Sequence, residues 1–180
     1  MSGEIRDLAG EYHRLLSPRI AALVTALRGD ERPNTMVAAW HTPVSINPPI
    51  LAVAIAPLRT SHDLIMKSEE FTLSIPDESM IKKVLVAGST TGYGFDKSEL
   101  FNYRKGQKIR TPIITEALGN IECTLNRVIA IGDHSVFFGN VVAASAREFK
   151  GVWLGSSPLL HLGDESYALM GNKINSKILK

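Results

Sequence analysis

Arg59, Thr60, Ser61 and His62 stand in a row after an apolar run, in the order Pro57-Leu58-Arg59-Thr60-Ser61-His62-Asp63. Such a row suits an anion. Thr60 or Ser61 can cap a helix whose first amides have no intrahelical partner. The positive end of the helix dipole favours negative charge there, and a guanidinium can meet two oxygens of one phosphate. Phosphate is the expected anion; the same turn would also serve as an ordinary capped helix with a solvated Arg59. The second candidate is His134, in the bend Gly132-Asp133-His134 between two strand-like stretches. Its imidazole is expected at the rim of the fold, within reach of a ligand, unless it only caps a hairpin. With His13, His41, His62 and His161 it forms no H-x-x-x-H or H-E-x-x-H spacing, so no metal is expected.

The elements that must position these residues are legible from apolar runs and prolines. Asn34 to Trp40 reads as a strand, and Pro43, Pro48 and Pro49 break it, because proline cannot donate to a ladder. Ile50 to Ala56 is too short for a stable helix and reads as a buried strand leading into a helix over 61–68. Phe71 to Ile75 alternates, which predicts a strand with one solvated or partner-facing side. A helix through Ile81 to Ala87 follows, starting at Asp77 or Ser79. Residues 88–107 read as a loop rich in aromatics (Tyr93, Phe95, Phe101, Tyr103), either folded over a planar ligand or anchored on the surface. Upstream, residues 4–16 have the spacing of an amphipathic helix that packs on the domain or on a partner subunit. Ile20 to Leu27 forms a hairpin with the Asn34 strand through the turn Arg28 to Pro33. Downstream, Ile121 to Ile131 and Ser135 to Ala144 are two long strands, with a bulge expected at Gly139, before a last short pair over 158–163 and 166–170. About seven strands against three helices favour a closed antiparallel barrel with helices outside, since closure removes exposed edges.

Composition narrows the function further. A chain of 180 residues with no internal linker reads as one domain spanning 1–180. A formal charge of +2 with 21% charged residues gives no broad basic surface for nucleic acid. One cysteine, Cys123, leaves no intramolecular disulfide, which fits a reducing cytoplasm. The charged N-terminus reads as no secretory signal, and no apolar segment reaches the roughly 18 residues of a membrane helix. G-x-G-x-x-G after a strand, G-x-x-x-x-G-K-[ST] and G-x-S-x-G are all missing, so a dinucleotide fold, a P-loop and the commonest hydrolase elbow are unsupported.

The blocks N-T-M-x-A-A-W (34–40), T-x-V-S-x-N-P-P (42–49) and R-T-S-H-D-L-I (59–65) resemble the flavin reductase-like family of FMN-binding split barrels, which includes flavoredoxins and small reductase components. Gly132 to Gly139 is similar to the family's G-D-H-T-x-F-x-G segment, and Asp96-Lys97 resembles the D-K that many members carry. The resemblance runs from about residue 15 to 170. It implies a mainly β (α+β) domain, an antiparallel Greek-key split barrel with peripheral helices, in which FMN is reduced by NADH or NADPH. The phosphate would lie at Arg59, Thr60, Ser61 and His62, and the ring along Val37, Ala38, Ala39, Trp40, His41 and Thr42, with Ser45 nearby. Small side chains such as Ala38 and Ala39 suit a ring that must approach the backbone. Trp40 would cover a ring face or pack in the core. His41 and Thr42 stand where other members carry different residues. The resemblance places His134 on the nicotinamide side as the catalytic candidate, in a positioning role. It also implies a homodimer with flavin near the subunit interface, and a small-molecule or protein electron acceptor. The alternative within the same family is a flavoredoxin-type electron carrier without its own nicotinamide-dependent activity.

Overall fold

The computed structural model describes residues 5, 7–92, 94–153 and 155–171. A 3-10 helix, Ala9–Leu16, opens the ordered elements in place of the longer amphipathic helix expected. It buries no residue, and Tyr12, Leu15 and Leu16 all stay exposed. Glu4 and Arg6, counted in that expectation, lie outside the described residues. The next strand is divided into β1 (Arg19–Ile20) and β2 (Ala22–Leu27). β2 pairs with β3 (Pro33–Ala38) in the expected hairpin, from Leu27 opposite Pro33 to Ala22 opposite Ala38.

The proline-punctuated stretch that read as a break is a strand, β4 (His41–Ile46), paired with β5 (Pro49–Ile55). Pro43 is tolerated because β4 is an edge strand with a register shift between Pro43 and Ser45, so a missing N–H costs nothing in the ladder. Then come α1 (Thr60–Ser68), β6 (Glu70–Ile75), a short 3-10 turn over Glu78–Met80 and α2 (Ile81–Ser89). Asp77 caps that turn through the Ser79 amide at 2.9 Å.

β6 is buried along its whole length, where a strand with one solvated or partner-facing side was expected. Its polar positions are satisfied inside: Thr72 Oγ1 donates to the Pro112 carbonyl at 2.9 Å, and Ser74 Oγ to Asn120 Oδ1 at 2.7 Å. Alternating hydroxyls therefore mark internal hydrogen bonding here and not solvent.

β7 (Tyr103–Arg104) and β8 (Ile113–Ile114) form a small pair, and β9 (Gly119–Ile131) and β10 (His134–Ala146) a long hairpin. The expected bulge is present, with the register shifting between Phe138 and Gly139. β11 (Leu160–Gly163) and β12 (Ser166–Ala168) close the series.

Seven antiparallel strands run in the order β3-β2-β6-β9-β10-β5-β4, and β1-β11-β12 form a separate three-stranded sheet. Chain neighbours β5 and β6 are thus parted by β9 and β10, which is Greek-key connectivity. β3 and β4 are not hydrogen-bonded to one another, so the barrel is split and not closed as the strand count alone suggested. The core holds Val53, Ile55, Ile65, Phe71, Leu73 and Phe137, while Leu23, Met80, Val84 and Phe101 make a second cluster under α2. Phe101 and Tyr103 of the aromatic loop pack with that second cluster, which anchors the loop. Tyr93 lies outside the described residues. Among the described residues no helix is long and apolar enough to cross a membrane.

Candidate functional site

The β5–β10 ladder sets Ile55 opposite Ser135 and so brings the turn after β5 beside the start of β10. The C-terminal end of β3 and the N-terminus of α1 complete this corner of the fold. Arg59 is the N-cap of α1 in extended conformation (φ −83, ψ 129), and no side chain caps the helix. Thr60 and Ser61, expected as caps, lie instead inside the first turn, where the Ser61 hydroxyl accepts from Asn34 Nδ2 at 3.0 Å. His62 N donates to Arg59 O at 2.9 Å, closing that turn.

Arg59, Thr60 and Ser61 face a cavity of about 390 Å³, bounded by β3 (Asn34, Val37), α2 (Gly88) and the loop to Lys97. That volume falls within the roughly 300–1,000 Å³ usual for small-molecule sites. Lys97 is 3% exposed, and its Nζ donates to the carbonyls of Ala87 and Thr90, both at 2.8 Å. Burial first, and the charge of Arg59 second, bring its pKa down to about 8. Two cations therefore face the cavity, and no carboxylate lines it among the described residues. Thr60 Oγ1 and Asn34 Oδ1 are buried there without hydrogen-bond partners. Positive charge, a free hydroxyl and open helix amides make a receptor for an oxyanion.

A second cavity of about 220 Å³ shares the walls Val37, Arg59 and Gly88 with the first and adds Ala39, His161 and Tyr167. Ala39 also joins Trp40 and His41 in a shallower hollow of about 220 Å³ beside His13 and Arg19. Trp40 is exposed and stacks on His134, ring centroids 4.8 Å apart at 26°. His134 Nδ1 meets Asp133 Oδ1 at 2.7 Å, and this contact holds the Asp133 carboxyl below the usual carboxylate range. Burial lowers the His41 pKa, so the neutral ring donates from Nε2 to Ile20 O at 2.9 Å.

Several expected site residues sit elsewhere. Ala38 belongs to the core. Thr42 and Ser45 open into a separate groove of about 320 Å³ with Leu51 and Ile121. His62 turns from the anion cavity: Nε2 meets Ser135 Oγ at 3.0 Å and the ring lies edge-on to Phe137 at 5.0 Å, tying α1 to β10. Conversely, Asn34, Gly92 and Lys97 line the cavity without having been expected there. The Asp96-Lys97 pair and the opening Asn of N-T-M were visible in the sequence, but nothing local tied them to the anion turn.

Known proteins bear on this geometry. A protein of Pyrococcus abyssi is 41% identical over 138 residues, covering 77% of this chain and 80% of the relative. The structure of an FMN-binding protein from Thermus thermophilus with bound p-hydroxybenzaldehyde superposes with a TM-score of 0.85 at 31% identity, covering 97% of this chain and 99% of that one. A flavoredoxin from Methanosarcina acetivorans superposes with a TM-score of 0.82 at 25% identity over 100% of both chains. The flavin reductase like domain matches residues 14–169, and the chain belongs to that family.

Proposed function

We propose that the chain is an FMN-binding oxidoreductase reduced by NADH or NADPH, with FMN's phosphate in the donor-lined cavity and its ring at the end of β3. The observation that carries this reading is the partnerless Thr60 Oγ1 in a cavity with Arg59 and the buried Lys97. Arg59, Ser61, Thr60 and Lys97 would hold the phosphate, and Val37 and Ala39 would let the ring approach the backbone. Bound FMN supplies the hydride-accepting ring. Hydride transfer asks no acid or base of the protein at that moment, so the chain's task is to orient the donor. His134 is suited to hold the nicotinamide side: Asp133 fixes its Nδ1 and Trp40 supports one face, which leaves Nε2 to hydrogen-bond a carboxamide. His134→Ala is expected to slow anaerobic reduction by NADH or NADPH by about 10- to 100-fold while FMN affinity stays nearly constant. Stopped-flow absorbance of the flavin band measures the first and an equilibrium titration the second; an unchanged reduction rate makes His134 structural.

The full-length likeness to a flavoredoxin supports a second reading, an electron carrier serving a protein or small-molecule acceptor. If neither nucleotide reduces the wild-type protein, that reading replaces the first. The exposed Tyr12, Leu15 and Leu16 of the 3-10 helix, together with Ile46 at 93% exposure, offer apolar surface for a second copy. A homodimer is the expected state, checked by sedimentation at micromolar concentration; a flavin-loaded monomer there removes it. The buried, free Cys123 suits a reducing cytoplasm as the compartment, which fractionation of the producing cells would test.

A further inference from the structure

Among the described side chains that line the anion cavity, only Asn34 carries a carbonyl oxygen. Arg59 and Lys97 can only donate, and Thr60 and Ser61 have protons to give. Asn34 lies on β3 opposite Ala26 and is 2% exposed. Its Nδ2 donates to Ser61 Oγ at 3.0 Å. A hydroxyl that receives an N–H must aim its own proton elsewhere, so this bond leaves the Ser61 proton free to turn into the cavity. Asn34 Oδ1 is buried without a partner. Gly92 presses on it: a Cβ at Gly92 would lie 2.2 Å from Oδ1 and 3.2 Å from Thr60 Cβ, so the loop packs against this oxygen through a bare Cα. A buried acceptor held in that way calls for a donor on the ligand.

We infer that Asn34 is a specificity residue for a phosphate ester of a polyol. Its Nδ2 turns the Ser61 hydroxyl toward the phosphate, and its Oδ1 accepts from a ligand hydroxyl beside that phosphate. The inference rests on the FMN reading above, since the ribityl phosphate chain has both groups. It goes beyond that reading in giving the cavity a way to tell FMN from a bare anion and from riboflavin. A site whose buried acceptor needs a ligand hydroxyl discriminates against an analogue lacking it, because the acceptor is then left unpaired.

The test is fluorescence titration of the apoprotein with FMN, riboflavin and an FMN analogue lacking the side-chain hydroxyl next to the phosphate. Wild type is expected to bind FMN most tightly. Asn34→Asp keeps the shape but replaces the donor with a charged acceptor; it is expected to weaken FMN by about 100-fold and riboflavin by less than about tenfold. Asn34→Ala and Ser61→Ala are expected to be non-additive, because the first acts partly through the second. Thermal melts of each variant separate binding from folding, and Ser61→Ala tests the same bond without touching β3. FMN affinity unchanged in Asn34→Asp, or losses that multiply independently in the double variant, would overturn the role of Asn34. Failure of wild type to bind any flavin would overturn the FMN reading itself.

Discussion

Lys97→Met is expected to weaken FMN binding by about 2–4 kcal/mol, against about 1–3 kcal/mol for Arg59→Ala, because Lys97 is buried and Arg59 is open to solvent. Methionine keeps the length of the stem and removes only the charge and the two bonds to Ala87 and Thr90. The pH dependence gives a sharper signature. In the free protein burial brings the Lys97 pKa down to about 8, below its ordinary 10.5, so its charged form is disfavoured on folding. The resulting penalty, about 3 kcal/mol, is fully present below pH 8 and is relieved as pH rises from about 8 to 10.5, where the unfolded chain holds a proton that the folded chain has lost. A phosphate bound beside Lys97 would restore the charged state. FMN affinity should therefore fall as pH rises above 8, and binding near pH 9 should take up a proton. Calorimetric titration in two buffers of different ionisation enthalpy measures that uptake; Lys97→Met should abolish it, and uptake that persists in the variant would remove Lys97 from the site.

Gly139→Ala is expected to cost about 3 kcal/mol or more of stability. A Cβ at this bulge would lie 2.7 Å from Phe71 Cζ and 2.8 Å from Cys123 Cβ, and both residues are wholly buried. Neither neighbour is the loose end of a flexible chain, so β10 would have to lift from β9 or Phe71 would have to leave the core. Urea unfolding of the variant against wild type gives the number; a midpoint shift worth less than about 0.5 kcal/mol would mean that the strand relaxes without cost.

What could be read ahead of the structure was whatever the chain states locally. The prolines around Ile50 to Ala56, the apolar run itself and the polar turn after it define β5 and the start of α1 within a residue or two. The bend at Gly132-Asp133 and the bulge at Gly139 are likewise written in single residues. β4 was hidden because Pro43 forbids a central strand but permits an edge, and the edge is a property of the whole sheet. β6 read as having a solvated or partner-facing side because its hydroxyls find their partners on Pro112 and Asn120, some forty residues downstream. Asn34 and Lys97 were missed as cavity residues for the same reason: each acquires meaning from Ser61, Thr90 and Arg59, which only the fold sets beside it. His62 shows the converse, a residue in the right turn whose ring is claimed by Ser135 of another strand.

The strand order also has a consequence in time. Among the described residues, every one lining the larger cavity lies between Asn34 and Lys97, so one continuous stretch carries it. The Trp40–His134 stack, by contrast, waits for β10 to lie along β5, which joins residues some eighty to ninety positions apart. Closing a loop of that length is entropically dear before any ladder bond compensates it, and chains dominated by such distant pairings fold slowly. The cavity lining thus comes from one contiguous segment, whereas the ring stack carries the entropic cost of joining distant strands.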